Sequence, residues 1–151
     1  MKDSLSEFLD KISFSENHDP RNLIKNKVPL DLKIKNSILK INDSGWCWTL
    51  FCCQGHFKGK QKGAIPYIVF VVKNQYKLFL MEKIFSSMPC EVNSRFPLMN
   101  RYSLEISPGF SDEKYSVITA YWHCNLALRD LQLVHQSIIM LGDSIVKENY
   151  G

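Results

Sequence analysis

The chain has 151 residues, 45% hydrophobic and 23% charged, with a formal net charge of +4. That size and balance fit a single domain over residues 1–151 and exclude a disordered or low-complexity chain. The mild charge permits contact with nucleic acid without supplying the strongly basic face such contact usually shows.

The first predicted element is a short helix. Leu5, Phe8, Leu9 and Ile12 recur at i, i+3, i+4 and i+7, the spacing of one helical face. Residues 15–20 read as a polar loop closed by Pro20, which disfavours helix just before it. Residues 21–27 are basic and show no clear period. A second helix is expected from Pro29, with Leu30, Ile34, Ile38 and Ile41 on one stripe, stopped by Asn42-Asp43-Ser44-Gly45. Residues 46–53 then read as a strand, on which Trp46 and Trp48 share a face. Residues 57–63 form a basic, glycine-containing loop. Residues 67–72 and 76–81 look like a hairpin across Lys73-Asn74-Gln75.

Residues 82–97 hold a short helix or an irregular excursion. Residues 102–106 and 115–121 are two further strands. The last element is a long helix over about residues 124–147, carried by Leu128, Leu131, Val134 or His135, Ile138, Leu141 and Ile145. Gly142 costs it about 1 kcal/mol of propensity relative to Ala. Strands in succession followed by a helix predict an α+β fold rather than an alternating α/β one. The expected architecture is an antiparallel sheet of about five strands, covered on one face and packed by an N-terminal helix pair and a long C-terminal helix.

The most apolar stretch, residues 65–72, is far shorter than the ~20 residues that span a bilayer. Residues 1–4 carry an acid early and lack the apolar core of a secretory signal. No membrane partner is therefore expected. The five cysteines are Cys47, Cys52, Cys53, Cys90 and Cys124. An odd number with an adjacent pair makes a poor disulfide framework, so a reducing, cytoplasmic setting is expected. In that setting thiols are buried fillers, metal ligands or reactive groups, and Cys47, Cys52 and Cys90 read as fillers.

Chemistry concentrates in Phe51-Cys52-Cys53-Gln54-Gly55-His56. Gly55 permits a sharp turn or a close backbone approach to a ligand. Cys53 and His56 have the spacing that brings a thiolate and an imidazole to one centre. Side chains alternate along a strand, so one of Cys52 and Cys53 faces such a site, and the shared turn with His56 favours Cys53. His123 and Cys124 form a second cluster near the last helix. Joined to Cys53 and His56 they would complete a two-Cys, two-His zinc set. Adjacent residues on a strand point apart, however, and no metal ligand is assigned from the sequence. Cys53 with His56 or His123 is also the residue pair of a thiol nucleophile and its base, with Asp130 or Glu105 as orienting partner.

The stretch 31–70 carries a resemblance. Asp31, a helix ending in Ile41-Asn42, and Thr49-Leu50-Phe51-Cys52-Cys53-Gln54-Gly55-His56 are similar to the N-terminal motif of the wybutosine-synthesis tRNA methyltransferase family. There an Asp-led helix ending in Ile-Asn precedes Thr-Thr-Ser-Ser-Cys-Ser-Gly-Arg. This chain lacks the serines and has His56 in place of the Arg. The segment with Pro66-Tyr67-Ile68 also resembles small uncharacterised phage and bacterial proteins with a Cys-x-Gly-His motif before a Pro-Tyr-Ile strand. The resemblance covers about a quarter of the chain and implies a shared fold more strongly than a shared reaction.

Lys58, Lys60 and Lys62 follow the turn directly, and lysines on a glycine loop can contact phosphate oxygens. Arg95, Arg101 and Arg129 can add to them. A run of this kind is also ordinary solvated surface, and the Gly-x-x-x-x-Gly-Lys-Ser/Thr loop is absent. Trp48 offers a stacking platform for a base, although core packing is the commoner use of Trp46, Trp48 and Trp122. No glycine-rich dinucleotide fingerprint is present, so no cofactor is assigned.

Two functions are expected from these residues. The first is a small binding protein that captures a nucleotide-like or phosphate-bearing ligand, or a protein partner, as a phage-type inhibitory or sequestering factor. Its ligand-binding residues are Gly55, Lys58, Lys60, Lys62, Trp48 and Arg129. The alternative is a methyltransferase-like enzyme acting on RNA or a nucleotide through Cys53, His56 and His123.

Overall fold

The computed structural model describes residues 4–12, 21, 30–60, 62–89 and 101–148. The expected loop before Pro20, most of the basic stretch after it, Cys90 and Arg95 lie outside the described residues. Helix α1 is Ser4–Lys11. Helix α2, Lys35–Asp43, is preceded by a turn over residues 32–34. Strand β1, Cys47–Cys53, is followed by β2, Tyr67–Lys73. Helix α3 is Asn74–Leu78 and runs into a π-helical segment, Phe79–Ile84. Strands β3, Tyr102–Ser111, and β4, Tyr115–Cys124, form a hairpin, and α4 is Leu128–Glu148.

The fold is α+β, with an antiparallel four-stranded sheet in the order β1-β2-β4-β3. The expected fifth strand, residues 76–81, is helical instead. Its aromatic content suggested a strand, but Tyr76, Phe79, Leu80 and Ile84 recur at helical spacing, and the last three are buried. Asn74 fixes the change of direction. Its N–H donates to the Lys114 carbonyl at 2.8 Å, its side-chain amide donates to the Asp112 carbonyl, and its Oδ1 accepts from the Ser116 hydroxyl.

The expected pairing of the first two helices on one covered face is also corrected. The α2 stripe of Ile34, Ile38 and Ile41 shares the main core with the α4 residues Val134, Ile138, Leu141 and Ile145 and with the sheet residues Ile68, Phe70, Ile118 and Trp122. Helix α1 lies against the opposite sheet face, where Phe8 and Leu9 pack with Leu50, Val71, Tyr115 and Val117. Trp46 and Trp48 are divided between these two clusters and do not share a face. Gly142 has a packing reason: a Cβ there would lie 3.1 Å from Ser37 Cα, so the glycine lets α4 and α2 cross closely. Among the described residues no helix is long and apolar enough to cross a membrane.

One irregularity decides what the end of β1 presents. The pairing of β1 with β2 shifts register between Thr49 and Phe51. The extra residue of such a bulge reverses the alternation beyond it. Leu50 and Phe51 therefore both join the α1-side cluster and Cys52 packs against the main core, while strand alternation turns Cys53 away from Cys52.

Candidate functional site

Strand β1 ends at Cys53, paired across the ladder with Tyr67. Gln54 then ties three parts of the chain together. Its N–H donates to Asp31 Oδ2 at 3.0 Å, its side-chain Oε1 accepts from the Lys33 N–H at 2.9 Å, and its carbonyl meets His135 Nε2 at 2.7 Å. The turn is thereby bound both to the segment before α2 and to α4. Gly55 follows with φ +81°. A Cβ at this position would sit 2.7 Å from Pro66 Cγ and 2.8 Å from Leu131 Cδ2, so glycine is required by space as well as by backbone.

His56 closes the lysine loop. Its N–H donates to the Ala64 carbonyl at 3.1 Å, and its own carbonyl accepts from the Gly63 N–H at 3.0 Å. Within the loop Lys62 N–H donates to the Gly59 carbonyl. Lys58, Lys60 and Lys62 are exposed along it.

These constraints gather Asp31, Cys53 and His56. One ligand atom from each, a carboxylate oxygen, Sγ and an imidazole nitrogen, lies within 4.8 Å of the others. Asp31 Oδ2 is 4.0 Å from His56 Nε2. The Gly55 N–H points to Cys53 Sγ at 3.4 Å. Burial raises the Cys53 thiol above its ordinary range; the Gly55 N–H opposes this, and the negative Asp31 adds to it. With a raised pKa the group is a thiol at neutral pH, which does not favour a free thiolate nucleophile. Cys52, deeper and on the core side, is pushed up to about 12, chiefly by burial. Burial also lowers the His135 pKa, Lys33 adds to the shift, and the hydrogen bond to the Gln54 carbonyl resists it.

The structure brings Cys53, Gly55, His56 and the lysine loop together and leaves the other candidates elsewhere. His123 lies on β4, two strand spacings of about 4.8 Å from β1. There it pairs with Glu105 at 2.9 Å and stacks on Tyr121. Cys124 turns to the other face and packs against the main core. Trp48 pairs with Val71 near the opposite end of β1, packs edge-on to Tyr115 and carries Lys73 Nζ 5.7 Å from its ring centroid. Arg129 is exposed in the first turn of α4.

Asp31 and His135 were not among the site residues expected from sequence. For Asp31 the one signal is its place at the head of the motif that ends in Cys-x-Gly. His135 sits within an apolar helical stripe and carries no signal of its contact with Gln54. Comparison of the chain with protein-family models, curated proteins and solved structures finds no match.

Proposed function

We propose that the chain is a small binding protein that captures a nucleotide-like or phosphate-bearing ligand on the lysine loop beside the Gly55 turn. The observation that carries this reading is the loop's construction. Backbone bonds from His56 to Ala64 and Gly63 close it at its base, and its three lysines remain exposed, with no ion pair to any of them among the described residues. A tied loop with positive groups loses less conformational freedom on binding an anion than a slack one does. Contacts of this kind act on phosphate oxygens and carry no base specificity. Such a protein works by sequestering its ligand, or by inhibiting a partner that needs it.

The test is fluorescence anisotropy with a labelled nucleoside triphosphate, in low salt and in moderate salt. Binding should fall at least tenfold in a Lys58/Lys60/Lys62 triple alanine variant, and it should weaken with added salt in the parent protein. Unchanged affinity in the triple variant rejects the phosphate reading and turns attention to a protein partner.

A second reading is favoured by the proximity of Asp31 to His56. A carboxylate near an imidazole can orient it as a base, which is the arrangement an enzyme acting on RNA or a nucleotide needs. A methyltransferase version requires S-adenosylmethionine, and calorimetry that shows no uptake of it rejects that version.

A further inference from the structure

We propose that Asp31, Cys53 and His56 bind a single divalent transition-metal ion of the zinc class. The inference does not rest on the lysine loop, and it survives or fails separately from the phosphate reading. It rests on a convergence of three different donor types from two distant chain segments, held within 4.8 Å. Around tetrahedral zinc, with bonds of about 2.0–2.3 Å, donor atoms lie roughly 3.3–3.8 Å apart. The remaining closure is about 1 Å, within reach of side-chain rotation on a fixed backbone.

The backbone is fixed in the manner such a site needs. Metal ligands are oriented by the hydrogen bonds behind them. The Gln54 N–H holds the Asp31 carboxylate, and the Gly55 N–H is directed at Cys53 Sγ. The His135 contact with the Gln54 carbonyl anchors the turn to α4, and the bonds to Ala64 and Gly63 hold the His56 backbone. Cys52 packs against the main core, whereas Cys53 is the cysteine of this pair that joins Asp31 and His56.

The donor set also selects the ion. A thiolate and an imidazole disfavour magnesium and calcium, which take oxygen ligands, while a mixed sulfur, nitrogen and oxygen set suits zinc. Binding involves no electron transfer. The Cys53 thiol releases its proton to solvent, and its sulfur lone pair forms the metal–sulfur bond. The imidazole nitrogen and the carboxylate oxygen donate lone pairs as water leaves the ion. The carboxylate and thiolate together neutralise a divalent charge, which relieves their mutual repulsion. Three protein ligands leave a fourth position for water or for an atom of a bound ligand, as in zinc sites that do chemistry.

The experiment is a cobalt titration of tag-free, metal-stripped protein, followed by zinc competition against a chromophoric chelator. One cobalt per chain should bind, with visible bands of tetrahedral intensity and a sulfur-to-cobalt charge-transfer band in the near ultraviolet. Cys53→Ser should abolish the charge-transfer band. Asp31→Asn and His56→Ala should each weaken zinc by about tenfold or more. His123→Ala and Cys124→Ser should leave both readouts unchanged. Absence of any cobalt spectrum in the folded parent protein overturns the proposal, whether or not a given variant folds. So does a charge-transfer band that survives Cys53→Ser and is lost in Cys124→Ser.

Discussion

The two ends of β1 use the same residue types for opposite purposes. At its start, Trp46 and Cys47 are sealed in the main core, and burial pushes the Cys47 thiol up to about 12 against a weak hydrogen bond with Ser44. The Trp46 indole N–H there has no hydrogen-bond partner among the described residues. At its end, Cys53 is only half-buried and lies beside a carboxylate, an imidazole and several directed backbone groups. Each end is entered or left through a glycine of positive φ, Gly45 before the strand and Gly55 after it. What flanks the strand, rather than the strand's own residues, decides whether a cysteine fills space or presents chemistry.

Those two glycines should separate the ends of β1 most strongly in stability. Gly55→Ala places a methyl group against the rigid Pro66 ring and the Leu131 side chain, in addition to the backbone strain. Overpacking and a left-handed alanine together should cost about 3 kcal/mol. Gly45→Ala meets nothing within 4 Å among the described residues, so the backbone strain alone should cost about 1 kcal/mol. Urea unfolding of both variants measures the contrast. Equal losses would mean that the Gly55 turn is not pinned between Pro66 and α4.

How far this contrast was legible in the sequence follows from its causes. The helical stripes of α1, α2 and α4 and four of the strands could be read because burial imposes a period on the residues that meet the core. The Tyr76–Met81 region misled because aromatic residues serve a helix as well as a strand, and there only the spacing discriminates. The bulge at Leu50 has no signature in Thr49-Leu50-Phe51, yet it sets the facing of both Cys52 and Cys53. The Cys53–His56 half of the site was visible through local spacing. Its Asp31 half depends on how the turn before α2 returns to Gln54, a long-range contact with no local period.

The second expected effect concerns thiol reactivity. Under native conditions iodoacetamide should modify Cys53 at least tenfold faster than Cys47 or Cys52, since alkylation requires an accessible thiolate and burial holds the latter two near 12. Peptide mapping by mass spectrometry over a time course reads this directly. Raising the pH from 7 to 9 should accelerate Cys53 labelling and leave it the fastest of the three. Labelling of Cys47 at a matching rate would show that the closed end of β1 opens as readily as the exposed end.

The smallest effect is a pH dependence that isolates the anchoring of the turn. The His135 pKa is lowered in the folded protein from its ordinary 6.5, mainly by burial. The unfolded chain therefore binds a proton more readily near that pH. The stabilising contribution of neutral His135 is complete above about 6.5 and is lost progressively as pH falls from there through the lower folded-state value. Urea midpoints should accordingly fall between pH 7.5 and 5.5, and His135→Gln should remove part of that fall. Glutamine keeps an N–H able to reach the Gln54 carbonyl but does not titrate. An identical pH slope in the variant would place the proton uptake elsewhere. A reduced slope would tie the polar end of β1 to α4 through His135, whose burial disfavours the charged imidazole, while the apolar end would remain indifferent to pH over the same range.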